Sequence, residues 1–194
     1  MKRSSRWLIT ITIALVVGVV IYYNYINGPK KDNEIKDSIV TDEVVKVINK
    51  DLESKYPESP KEVVSLFVRI QKCYYNEEYT EEELLKLAYK ATELFDSELI
   101  NENPFDKYYE NLKSEINAYA ATNKTISQAN VDERTDIVYS TVDGQKYAQL
   151  NCLYILKDNK GRSRIKETYI LRKDENDRWK ILGWKEYEES EWEK

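Results

Sequence analysis

Hydrophobic residues in this chain recur every three to four positions from about Thr41 to Ala121, and every second position from Thr125 onward. A helix brings residues i, i+3 and i+4 onto one face, whereas a strand brings i and i+2 onto one face. The switch therefore predicts helices first and an antiparallel meander after them. A sheet must cover its apolar face, and amphipathic helices can cover it, so the expected class is α+β.

Thr41, followed by Asp42 and Glu43, reads as the start of a first short helix. Val44, Val45, Ile48 and Leu52 lie at helical spacing, and Tyr56-Pro57 ends it. Ser59-Pro60-Lys61-Glu62 opens the next helix with a cap, a proline at the first turn and a glutamate three residues after the serine. Val63, Phe67, Ile70 and Tyr74 form its stripe. Thr80 and Glu83 repeat the capping-box spacing ahead of Leu84, Ala88, Ala91 and Phe95. Phe105, Tyr108, Leu112, Ile116 and Tyr119 form a third amphipathic stripe after the break at residues 101–104. These are the three helices expected to pack on the sheet.

Four strand regions follow: Thr125 to Ser140 with a bend near residues 130–133, Gln145 to Leu156, Ser163 to Arg172, and Arg178 to Tyr187. Asp143-Gly144 is the pair that a tight hairpin prefers, because glycine accepts positive φ. Ala148, Leu150, Cys152, Tyr154 and Leu156 are expected on one face of the second region.

Ahead of this domain, Trp7 to Ile26 is apolar and uncharged. A helix rises about 1.5 Å per residue, so such a run matches a hydrocarbon core of about 30 Å. Trp7 at one end and Tyr22, Tyr23 and Tyr25 at the other form an aromatic belt. Lys2, Arg3 and Arg6 favour a cytoplasmic N-terminus under the positive-inside rule. The run ends in Tyr-Tyr-Asn-Tyr rather than a small-x-small site, which favours an uncleaved anchor over a signal peptide. The expected organisation is a head at 1–6, a transmembrane helix at 7–26, a tether at 27–57 that includes either a stalk helix or the first element of the domain, the folded domain at 58–187 and an acidic tail at 188–194. The domain is then expected outside the cell, at the membrane.

Composition narrows the chemistry. Three of the 30 Lys and Arg precede Ile26, leaving 27 against 35 acids, which argues against nucleic acid as a partner. There is no histidine. That removes Ser-His-Asp and Cys-His catalysis and histidine-containing zinc sites. No phosphate-cradling glycine motif occurs. Acids at residues 81–83 and in the turns suit helix starts and hairpins, not catalysis or calcium binding. No catalytic residue, metal site or cofactor is expected. Cys73 and Cys152 form either one disulfide or two free buried thiols.

The three helices and the final Arg178-Trp179-Lys180-Ile181-Leu182-Gly183-Trp184 resemble the nuclear-transport-factor-2-like (NTF2-like, or cystatin-like) fold. The Ser59-Pro60-Lys61-Glu62-Val63-Val64 opening is similar to that of its first helix. The resemblance implies a cone of three helices on a curved antiparallel sheet of about four strands, with a cavity between them. The whole chain also resembles a family of single-pass membrane proteins from Gram-positive, clostridial-type anaerobes, one with no assigned activity. Asp51-Leu52-Glu53, Tyr56-Pro57, residues 73–80 and Leu171-Arg172-Lys173-Asp174 carry that resemblance. Its layout, one membrane helix and one such domain, is similar to that of a type IV secretion component.

Sixteen tyrosines suggest an aromatic pocket or binding face. The candidates are Tyr74, Tyr109, Tyr154, Tyr169 and Trp184, together with Glu167, the one acid with an inward position by alternation. The expected role is a membrane-tethered domain that binds another envelope protein or its own copy. A small apolar or peptide ligand in the cone is the alternative, and an acid/base enzyme working through Glu167 is the least expected.

Overall fold

Residues 42–186 are described by the computed structural model. The expected head, membrane span and most of the tether, and the acidic tail, lie outside the described residues. Among the described residues no helix is long and apolar enough to cross a membrane.

Among the described residues, five helices precede five strands, in the order the period switch predicts. The helices are α1 (Asp42–Ile48), α2 (Pro60–Asn76), α3 (Glu81–Thr92), α4 (Ser97–Glu102) and α5 (Phe105–Ala121). The strands are β1 (Thr125–Val131), β2 (Val138–Val142), β3 (Gln145–Asp158), β4 (Gly161–Lys173) and β5 (Trp179–Glu186). All strand pairs are antiparallel.

The expected count of about four strands is corrected to five. The bend anticipated near residues 130–133 is a full break containing a 3-10 turn, Arg134–Asp136. The two pieces, β1 and β2, pair with the two halves of the long β3. Asp132 fixes the break: its carboxylate accepts from both the backbone and the side-chain amide of Asn151, each at 2.8 Å. The order across the sheet is β1 and β2 on one side of β3, then β4, then β5.

Two helix expectations also need correction. The first helix stops at Ile48 instead of reaching Leu52. Asp51 turns the chain there by accepting from the amides of Glu53 and Ser54, both at 3.0 Å, and Leu52 is buried all the same. The helix that starts after Thr80 stops at Thr92 instead of including Phe95. Residues 94–96 leave the helix through a turn and lie along β5: Ile181 N–H donates to Leu94 C=O and Asp96 N–H to Ile181 C=O, each at 2.8 Å. Asp96 then caps the unforeseen α4, accepting from the Glu98 amide at 2.9 Å.

The Thr80 capping box and the Asp143-Gly144 turn hold in detail, and the Ser59 cap holds in part. Thr80 and Glu83 form a complete capping box. Ser59 accepts from the Glu62 amide, but the Glu62 carboxylate reaches the Glu58 amide rather than closing the box on Ser59. Asp143 (φ 49°) and Gly144 (φ 81°) have the two positive φ values of a type I′ hairpin between β2 and β3.

α2 is the central helix. It packs on β1, β3 and β5 and is flanked by α1, α3 and α5. Val63, Val64, Phe67 and Ile70 of α2 meet Leu150, Tyr169, Leu171 and Ile181 of the sheet in one buried core. The predicted inward face of β3, from Ala148 to Leu156, is buried throughout. Cys73 and Cys152 are both buried and unbridged, and burial pushes each thiol up to about 12. They pack as small hydrophobes.

Candidate functional site

α2 and α5 stand apart at one end of the core and leave a cavity of about 320 Å³ between them and the sheet. Helical spacing supplies most of its wall. Phe67, Gln71, Tyr74 and Tyr75 project from one face of α2, and Tyr108, Asn111, Leu112 and Glu115 from one face of α5. The sheet contributes Glu167 from β4, with Gly183 and Trp184 from β5. Phe95 and Leu99 close the remaining side. Asp96 holds that side in place. Its carboxylate is paired twice with Arg172 of β4, at 2.5 and 3.0 Å, and its side chain is only 4% exposed.

The aromatic rings meet mainly edge to face or tilted. Ring centroids are 5.4 Å apart for Phe67 and Phe95, 5.1 Å for Phe67 and Trp184, and 5.4 Å for Phe95 and Tyr108. Such pairs fix ring orientation beyond what burial alone does. Tyr74 hydroxyl donates to the Leu87 carbonyl at 3.1 Å and meets the Tyr108 hydroxyl at 3.3 Å.

A chain of short oxygen–oxygen contacts lies behind the cavity. Glu167 Oε2 lies 2.6 Å from Tyr169 Oη, which lies 2.6 Å from Tyr154 Oη, which lies 2.7 Å from Gln71 Oε1. Two hydroxyls provide two protons for three contacts. A protonated Glu167 provides the third: it donates to Tyr169, Tyr169 to Tyr154, and Tyr154 to Gln71. With an ionised Glu167, the Gln71 amide must turn an N–H toward Tyr154. Burial holds the Glu167 carboxyl above its ordinary range, and the negative charges of Glu115 and Glu186 add to this; the Tyr169 hydrogen bond works the other way. Burial likewise raises Tyr154 and Tyr169 far above the usual phenol value.

The six residues singled out from the sequence separate into three groups. Tyr74, Glu167 and Trp184 line the cavity. Tyr154 and Tyr169 are one layer deeper, and position Glu167. Tyr109 is corrected to a place outside it. Its ring stacks on Phe105 at 5.9 Å, Lys113 lies over it, and its hydroxyl donates to Glu81 at 2.9 Å. Tyr108 and Tyr109 are adjacent on a helix, so only one of them can face inward, and the stripe through Leu112 marks Tyr108 as that one. Glu167 is also not the sole inward acid, because Glu115 joins it from α5. Phe67 and Phe95 were legible as helix-stripe residues, but not as cavity wall, and Tyr75 was not placed in a stripe. Among the described residues, no group of three or more Asp, Glu or Cys side chains is placed to hold a metal ion.

A family model described as a domain of unknown function, DUF6715, matches residues 1–184. The chain belongs to the DUF6715 family. No curated protein matches the sequence. Two solved structures share a likeness with this DUF6715 chain. One is a 2.5 Å structure from Catenulispora acidiphila, with a TM-score of 0.38 and 11% identity, covering 64% of this chain and 87% of that one. The other is a solution structure of TraH, a candidate transfer protein of the Gram-positive conjugative plasmid pIP501. Its TM-score is 0.37 and its identity 14%, with 70% of this chain and 99% of that one covered.

Proposed function

We propose that this DUF6715 chain holds a small-molecule-binding domain close to the outer surface of a cell membrane, and that the domain is an NTF2-like cone. The carrying observation is the cavity. At about 320 Å³ it falls in the range of pockets that enclose small ligands, roughly 300–1,000 Å³. It has the composition such pockets share: a largely aromatic wall with a few polar groups directed into it. Helices gathered on one face of an antiparallel sheet, with the cavity between the layers, support the cone reading. The apolar run from Trp7 to Ile26 supports the membrane anchor. A tether of about a dozen residues has an average coil span of about 20 Å, which would keep the domain near the surface. The role is binding, not catalysis: Glu167 is half-buried at the cavity wall, and its contacts are with tyrosines that hold it in place.

The test is a thermal-shift screen of the full-length chain in detergent against lipids, muropeptides and small amines, alcohols and acids. A ligand that raises the melting temperature should lose that effect in Asn111→Trp, which fills the cavity from an exposed helix position. Ligand shifts that persist unchanged in Asn111→Trp would refute the cavity as the site.

A second reading, contact with another envelope protein or a second copy, is favoured by β2. All five of its residues, Val138 to Val142, are exposed and uncharged, and β2 pairs on one side only, with β3. Such an edge can accept a further strand. Sedimentation of the purified chain and crosslinking in cells distinguish this reading from ligand binding.

A further inference from the structure

We infer that the cavity takes an organic cation, an amine whose ammonium group lies between Glu115 and Glu167 against the aromatic wall. This rests on the reading of the cavity as a ligand site. Charge selects the class. The lining holds two carboxylates and no lysine or arginine. An anionic ligand would meet like charge with no cationic side chain in the wall to offset it. An ammonium would meet opposite charge from two elements, α5 and β4. The rings add to this preference, because the face of an aromatic ring is negative and attracts cations. Tyr74, Tyr75, Tyr108, Phe67, Phe95 and Trp184 surround the space. Its volume lies near the lower end of ligand pockets, which favours a small amine with one apolar body over a lipid.

The hydroxyl chain gives this binding a proton signature. Below its raised value, a neutral Glu167 in the empty cavity supplies the third proton of the Glu167–Tyr169–Tyr154–Gln71 chain. An ammonium beside Glu167 favours the carboxylate, so the Glu167 proton passes to solvent. Tyr169 then donates to Glu167, Tyr154 to Tyr169, and the turned Gln71 amide to Tyr154. The titratable groups facing Glu167 are Tyr169 on its own strand, Tyr154 and Cys152 on β3, Glu186 on β5, Tyr75 on α2, and Glu115 and Tyr119 on α5. Lys72 of α2 acts on Cys152, but the cavity lining itself holds no lysine or arginine, so the ammonium would bring positive charge to Glu167 from within the cavity.

Calorimetry on the full-length chain in detergent tests the inference with three probes of similar shape: 2-phenylethylamine, 2-phenylethanol and 3-phenylpropionate. The amine should bind at least about tenfold more tightly than the alcohol, and the carboxylate should not bind. Glu115→Gln and Glu167→Gln should each weaken the amine by about tenfold or more and leave the alcohol unchanged. Glu115 lies at an exposed helix position, so its variant keeps the test valid if Glu167→Gln folds poorly. At mildly acidic pH, below the raised Glu167 value, the heat of amine binding should differ between acetate and MES buffers in the wild type, reporting proton release, and agree between them in Glu167→Gln. Alcohol or carboxylate binding as tight as the amine would overturn the cation assignment while leaving a ligand site standing. Amine binding unaffected by both substitutions would overturn it as well. Failure of all three probes to bind would overturn the cation assignment and the cavity reading together.

Discussion

Replacing Arg172 by methionine should unfold this domain more readily than any surface substitution, and the size of the effect follows from the geometry. Methionine keeps much of the apolar stem and removes the guanidinium. Asp96 would lose contacts at 2.5 and 3.0 Å and keep only the Glu98 amide at 2.9 Å. Its side chain, 4% exposed, cannot recover water. Breaking a buried pair by removing one partner costs about 3–5 kcal/mol. The 22% exposure of Arg172 places this case at the lower end, near 3 kcal/mol by the same rule. The lost contact with the exposed Glu98 carboxylate adds less than about 1 kcal/mol. For a domain of this size the melting temperature should fall by about 10 °C. Asp96→Asn should cost less, because Arg172 keeps Glu98 and partial solvent while the asparagine still caps α4. The double variant should be more stable than the two single losses predict, by about 2 kcal/mol. Urea titrations followed by far-UV circular dichroism measure all three variants. A loss below about 1 kcal/mol for Arg172→Met, or single losses that simply add, would show that the pair behaves as a surface contact and would refute the argument.

Two further outcomes follow from the same structure. Glu167 is held above its ordinary value of 4.5 in the folded state, so its ionisation opposes folding: stability rises as pH falls through the folded value and levels off below 4.5. Glu167→Gln should therefore be more stable than the wild type at pH 7 and equal to it near pH 4, in thermal melts at both pH values; equal destabilisation at both would contradict this. Gly144→Ala should cost about 1 kcal/mol in a denaturant titration, because φ is +81° while a Cβ there meets nothing within 4 Å. A much larger loss would mean that the hairpin depends on more than backbone conformation.

The element order was legible because amphipathic period is a local property, and the α2 and α5 stripes and the alternation of β3 are long enough to read. The break between β1 and β2 was legible only as a bend, since it depends on Asp132 meeting Asn151 of another strand. The end of α3 was misread for a related reason. Phe95 continues the helical stripe, but its backbone pairs with Ile181, and no neighbour in sequence signals that. Asp96 and Arg172 carry no local mark as a pair. The cavity was half legible: Tyr74, Glu167 and Trp184 stood out as unusual residues, whereas Phe67 and Phe95 looked like ordinary core. Glu115 belongs to an exposed helix turn, and only the separation of α5 from α2 brings it toward Glu167.

The strip at residues 94–96 ties the order of assembly to β4 and β5. It is seated by β5 through Ile181 and by β4 through Arg172, 76 positions from Asp96. Tyr56 similarly waits for the Trp179 carbonyl, 123 positions away. Closing such distant contacts is slow, because loop entropy is lost before the contacts form. During synthesis the helices emerge first with Phe67, Phe95 and Tyr108 uncovered. The wall they build cannot close until the last strand has left the ribosome. A stall or truncation before β5 would leave this aromatic surface open to other chains, which makes the final strand the checkpoint for correct assembly.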